Sequence, residues 1–241
     1  MKNFIKTTTC VIAVFCCLLS SAFADVYTSG HGDIAVAYEN GQLELHWHIS
    51  PDGVVDGAPV GNSPDGREFA PGDLMAFVSD PAFARPDGDI WNPIGTGAGE
   101  DVWFLPQSGS VANTQGKPFL GLNEELDDAD WSNLQWSITS LVGPGEFSLW
   151  QDGFSPSFKV SSVDGLPDPF VSGHDHFNWG FTAPGLYEVG FTYSGDHVTD
   201  GFQSDSETFR FLVAVPEPGS LAALGIGALG FLTRRRRRPG G

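Results

Sequence analysis

The chain has 241 residues, 41% hydrophobic and 12% aromatic, enough for one sizeable core and too aromatic for a disordered polymer. Its formal charge of −18 conceals an asymmetry, because the stretch 25–213 holds 29 acids and 5 bases, a net of −24. Such a surface repels phosphate backbones, which excludes nucleic acid as a partner class and favours cations.

At the N-terminus, Lys2 and Lys6 precede the apolar run Val11 to Leu19 and then Ala22-Phe23-Ala24. This is the order of a secretory signal peptide over residues 1–24, cut after Ala24. Cys10, Cys16 and Cys17 all fall inside it, so the exported chain is expected to carry neither a disulfide nor a thiolate ligand.

Beyond the leader, Asp33 to Ile49 alternates around Asn40-Gly41, the dipeptide favoured in a two-residue type I′ hairpin. That turn sets Tyr38 opposite Leu43, Val36 opposite Leu45 and Ile34 opposite Trp47 on one apolar face. Short strands are predicted at Leu74 to Val78, Val102 to Leu105, Leu134 to Ser140, Glu146 to Trp150 and Phe177 to Phe181. Asn123 to Trp131 carries the caps and acids of a short helix. Leu186 to Tyr193 and Glu207 to Val213 alternate as a second hairpin, after a turn at Pro184-Gly185. Gly and Pro make up 48 of the 241 residues, punctuation that suits many short strands. Residues 25–213 therefore read as one all-β domain, an antiparallel β-sandwich of immunoglobulin-like or jelly-roll-like type, with no internal repeat.

All six histidines lie in this domain, five of them in two clusters. The hairpin register places His48 opposite Asp33 and His46 opposite Ala35, with His31 on the same parity, all pointing away from the Trp47 face. Directly opposed side chains stand about 5 Å apart and same-face neighbours about 7 Å apart, within reach of one cation. In His174-Asp175-His176-Phe177-Asn178-Trp179, parity sends Phe177, Trp179 and Phe181 inward and His174, His176 and Asn178 outward. His31, His174 and His176, supported by His48, His46 and Asp33, are thus candidate metal ligands. Outward histidines on a sandwich are equally compatible with plain solvated surface. His197, in the loop Ser194 to Asp200, reads as a further ligand or an ordinary loop residue.

Imidazole with carboxylate suits zinc or manganese, and the shortage of sulfur argues against copper(I) and iron–sulfur clusters. The loops at Asp52-Gly53, Asp56-Gly57, Asp65-Gly66 and Asp87-Gly88-Asp89 offer oxygen ligands but lack the EF-hand order, so calcium ranks lower and turns are the simpler reading. Motifs of serine, cysteine, zinc-protease and phosphate-loop chemistry are missing, and a non-enzymatic protein is expected.

The C-terminus, 214–241, places Pro216-Glu217-Pro218 before the apolar run Leu221 to Leu232 and the basic cluster Arg234, Arg235, Arg236, Arg237 and Arg238. Twelve helical residues reach about 18 Å, short of the roughly 30 Å hydrocarbon core, so alone this is a marginal transmembrane helix held by cytoplasmic arginines.

Two resemblances follow. The tail resembles the PEP-CTERM sorting signal of Gram-negative bacteria. This implies an exosortase partner, transient anchoring in the inner membrane, and delivery to the cell envelope, outer surface or extracellular matrix. Ser29-Gly-His-Gly-Asp-Ile34, Val102 to Gln107, Leu120 to Glu125, Gly143 to Trp150 and His174 to Tyr187 together resemble the choice-of-anchor M domain, a bacterial surface-anchored module. Its matching positions are His31, His174, His176, Asn178 and Trp179, the last a packing residue; Gly32 departs from the bulkier residue expected there. Some relatives of that domain are associated with metal-uptake transporters, which implies metal capture and a transporter partner. The alternative is a structural or adhesive matrix protein without metal, contacting exopolysaccharide through Trp91, Trp103, Trp131 or Trp150.

Overall fold

A computed structural model describes residues 24–214, except 62, 81 and 82. The expected tail helix, its Pro216-Glu217-Pro218 and Arg234 to Arg238 lie outside the described residues, as does all but Ala24 of the leader. Among the described residues, no helix is long and apolar enough to cross a membrane.

The described strands in chain order are β1 (Asp25–Glu39), β2 (Gln42–Ile49), β3 (Val54–Val55), β4 (Ala58–Pro59), β5 (Arg67–Phe69), β6 (Leu74–Val78), β7 (Phe83–Ala84) and β8 (Asp101–Leu105). They continue with β9 (Pro118–Glu125), β10 (Trp131–Val142), β11 (Phe147–Gln151), β12 (Ser157–Ser161), β13 (Asp175–His176), β14 (Asn178–Phe181), β15 (Gly185–His197) and β16 (Gly201–Val213). A sheet of eleven strands follows the path β10-β15-β16-β6-β1-β2-β5, with β3, β4, β9 and β13 attached beside β1. A five-stranded sheet, β12-β11-β14-β8-β7, packs against it, giving the expected all-β sandwich. Most ladders are antiparallel, while β1–β6, β1–β9 and β16–β6 run parallel.

The first hairpin has the expected register, with Ile34, Val36 and Tyr38 opposite Trp47, Leu45 and Leu43. Asn40 and Gly41 both take positive φ, 53° and 83°, as a type I′ turn requires. The expected strands all form, and β15 and β16 pair along their whole lengths. Inward residues from both sheets make one aromatic core: Trp47 meets Phe209 edge-on at 5.0 Å, and Trp179 lies 5.5 Å from Phe211. The buried Trp179 indole donates to the Leu120 carbonyl at 3.0 Å, tying β14 of the small sheet to β9 of the large one and satisfying a polar group the core would otherwise strand.

The helix expected over Asn123 to Trp131 does not form. Asn123–Glu125 completes β9 and Trp131 begins β10. The intervening acids close a turn instead: Asp127 accepts from the Ala129 amide through its side chain and from the Asp130 amide through its carbonyl. Aspartate caps serve turns as readily as helices, and here strand pairing on both sides decides. A helix lies earlier, α1 (Gly109–Gln115), closed by Gly116 at φ 62°.

Strand β1 serves two ladders end to end. Its first residues pair with β6 and β3, and from Gly30 onward it pairs with β9 and β2. Gly30 marks the change, with φ +85° and a position where a Cβ would fall 2.4 Å from the Asp52 carbonyl oxygen. Past Gly30, the face of the large sheet turned away from the core runs across β2, β1, β9 and β13.

Candidate metal centre

Register on that face decides which side chains meet. Asp33 stands opposite His48 of β2 on one side and Gly121 of β9 on the other, and Gly121 in turn pairs with His176 of β13. The two histidine clusters, more than a hundred residues apart in sequence, therefore occupy neighbouring strands of one sheet.

Four side chains converge at the β1–β9–β13 junction: His31, Asp33, His174 and His176. His31 Nε2 lies 3.3 Å from His176 Nε2 and 3.5 Å from Asp33 Oδ2, and His174 Nε2 lies 3.5 Å from Asp33 Oδ1. Four ligands held about 2.0–2.1 Å from one ion in a tetrahedron are separated by roughly 3.3–3.4 Å; these three spacings are close to that, those to Asp33 reaching its two different oxygens, and one ligand atom from each residue fits within 4.8 Å of the others. His31 Nδ1 lies 2.7 Å from Ser50 Oγ; with its proton given to that hydroxyl, the imidazole turns a lone pair towards the centre of the cluster. Phe119 stacks on His176 at 3.7 Å, with ring planes 10° apart, and also flanks His31. Burial, reinforced by nearby His31, lowers the His176 pKa to about 4, leaving that ring neutral at physiological pH. Asp33 is 4% exposed, and its Oδ1 is buried without a hydrogen-bond partner. Burial raises its pKa against the opposing influence of His31 and His174.

Gly121 makes the convergence possible. A Cβ there would lie 2.3 Å from Asp33 Oδ1 and 2.9 Å from His176 Cε1, so a side chain would fill the space between two ligands. Gly32 has a different reason for being small, since its Cβ would meet Ile49 and the Tyr27 ring on the inner side.

The neighbouring group is His46, His48 and Glu125. Glu125 comes from β9, on the far side of β1, and reaches β2 over Ala35 and Ala37, whose methyls leave the passage open. Its Oε1 is 2.5 Å from His48 Nδ1 and its Oε2 is 3.6 Å from His46 Nε2. His48 Nε2 donates to the Asp65 carbonyl at 2.6 Å. Burial lowers the proton affinity of both imidazoles, but the Glu125 carboxylate outweighs it and the net shift is upward. The same contacts, that with His46 foremost, hold Glu125 down at about 2.

All six expected ligands thus lie on one face, divided between two groups. His174 is in the loop before β13 rather than on a strand, and the chain passes to the other sheet between His176 and Asn178. Asn178 is buried, accepting from the Gln107 amide at 2.9 Å. His197 is remote from both groups, packed between Tyr38 and Trp131 and paired with Asp200. Of the proposed sugar-platform residues, Trp103 and Trp150 are buried, while Trp91 packs on Phe83 and Trp150 and Trp131 packs on Tyr38. The Asp-Gly loops are turns in which Asp56, Gly57, Gly66 and Gly88 take positive φ. Sequence reasoning missed Glu125, Phe119, Ser50 and Gly121; the alternate alanines of β1 were the one local sign of a crossing side chain.

No curated protein and no solved structure matches this chain. Residues 214–238 match the PEP-CTERM protein-sorting motif, which marks the chain as an exported cell-envelope protein with a tail for exosortase processing.

Proposed function

We propose that this exported envelope protein reversibly binds a divalent transition metal through His31, Asp33, His174 and His176, and that it captures the ion without catalysing a reaction. The observation that carries this reading is the Asp33 carboxylate, buried with an unpartnered oxygen and faced by imidazole nitrogens at ligand-to-ligand distances. A buried carboxylate without compensation costs several kcal/mol, and a dication would supply that compensation. Three imidazole nitrogens and one carboxylate oxygen, all within 4.8 Å of one another, favour zinc over manganese, and calcium, which needs six or more oxygens, ranks last. Four protein ligands fill a tetrahedral shell and leave no position for an activated water, which supports capture over hydrolysis. The resemblance of residues 25–213 to the choice-of-anchor M domain, some of whose relatives accompany metal-uptake transporters, is consistent with this role. Delivery to such a transporter is its natural extension.

The test is elemental analysis of the full-length chain, purified without a histidine tag and equilibrated with equimolar zinc, manganese and calcium, beside a His174→Ala/His176→Ala variant. A folded variant that retains about one zinc equivalent fewer than wild type supports the proposal. Equal zinc content in both proteins contradicts it, and retention of no metal in either would leave a structural or adhesive role in front.

A further inference from the structure

We infer that His46, His48 and Glu125 form a second, separate metal site with an open coordination position, one that exchanges its ion more readily than the four-ligand cluster beside it. His46 is 9% exposed, and its Nε2 is buried without a hydrogen-bond partner. Glu125 Oε2 lies 3.6 Å from it, too far for a hydrogen bond and about right for two ligands of one ion. A buried imidazole nitrogen left without a partner is costly, and a cation between it and the carboxylate would remove that cost.

The supporting contacts are those a metal ligand needs. His48 has its Nε2 committed to the Asp65 carbonyl, and its Nδ1 lies 2.5 Å from Glu125 Oε1, a direct hydrogen bond that an ion held by both groups would replace; Asn123 Nδ2 donates to Glu125 Oε1 at 3.3 Å. Such outer contacts fix ring orientation and carboxylate position. Two imidazoles and one carboxylate make a three-ligand set, which leaves at least one coordination position for water or an incoming group.

An acidic groove lies beside the site and touches one of its three ligands, His46. His46 lines a groove of about 490 Å³ whose walls include Glu39, Glu44, Glu68, Asp205 and Glu207. Five carboxylates along a groove beside the site raise the local concentration of cations. Fewer protein ligands and an adjacent acidic groove together give faster loading and release than the neighbouring cluster, which is closed by four.

The test is zinc titration of the full-length, tag-free chain against a competing chromophoric chelator, comparing wild type, Glu125→Gln, His46→Ala/His48→Ala and His174→Ala/His176→Ala, each checked for retained β-sheet by circular dichroism. Wild type is expected to bind two zinc ions of unequal affinity. Glu125→Gln should weaken only the weaker by more than about tenfold, the His46/His48 variant should remove it, and His174→Ala/His176→Ala should leave it in place. If wild type binds a single zinc that the Glu125 and His46/His48 variants retain and the His174/His176 variant loses, the second site is refuted while the four-ligand cluster stands. A single zinc with the opposite pattern would refute the four-ligand cluster and keep this one. No binding refutes both.

Discussion

At Gly121 a single hydrogen decides whether the four-ligand cluster closes. Gly121→Ala would drive a methyl against Asp33 Oδ1 and His176 Cε1, at a cost of about 1–3 kcal/mol in overpacking. The expected outcome is a folded protein with sharply weakened zinc affinity, measured by titration and thermal melting together; unchanged affinity would place the ion elsewhere. Glu125 gives a pH signature in the metal-free chain. Its pKa is held down from 4.5 to about 2, while those of His46 and His48 are raised above 6.5. The carboxylate's contribution is present above 4.5 and lost as pH falls towards 2. The imidazoles' contribution is present below 6.5 and lost as pH rises through their elevated values. The trio therefore stabilises most between about pH 4.5 and 6.5, and Glu125→Gln should cost about 1–2 kcal/mol there, since solvent reaches a quarter of the Glu125 side chain and screens it. Urea midpoints measured across this range check the window; a loss that does not vary with pH would contradict it. Glu125 itself stayed illegible because it sits beside turn-forming acids in sequence and joins the histidines only through the pairing of β9 with β1.

Among the elements, the hairpin β1–β2 was fully legible, since Asn40-Gly41 sets the register and alternation sets the faces. The parallel pairing of β1 with β9 was not: it joins segments some ninety residues apart with no turn between them to fix the register. That pairing is what merges the two histidine clusters into one face. The junction of the sheets depends on another contact invisible in the sequence. Lys117, which is 3% exposed and immediately precedes β9, donates to the carbonyls of Phe104 in β8 and of Asp80, each at 3.1 Å. Burial lowers its pKa from 10.5 to about 8. Above pH 8 the unfolded chain holds a proton that the native chain has released, so stability rises with pH, by at most about 1.4 kcal/mol per unit. Near the ordinary tyrosine value of 10.0 the buried Tyr27 and Tyr193, whose pKa values are raised mainly by burial, oppose this trend. Lys117→Met should abolish the rise between pH 8 and 9.5 in denaturant titrations, and a slope that survives would assign it to another group.

For the whole molecule, charge and sorting point the same way. A net of −24 over residues 25–213 favours cation encounter, and association with zinc should slow as ionic strength rises, because screening shortens the reach of the acidic surface. Stopped-flow loading at two salt concentrations measures this, and a rate that ignores salt would remove electrostatic steering from the account. The sandwich class was readable from short alternating strands and their Gly/Pro punctuation. The change of partners at Gly30 and the exchange of sheets between His176 and Asn178 were not, since both answer to long-range packing. Zinc-edge X-ray absorption of the zinc-loaded His46→Ala/His48→Ala chain probes the four-ligand cluster most directly, because that chain keeps no second site. The expected zinc shell has four nitrogen or oxygen ligands at about 2.0–2.1 Å and a strong imidazole signature. A six-coordinate, oxygen-dominated shell, or no retained zinc, would contradict it.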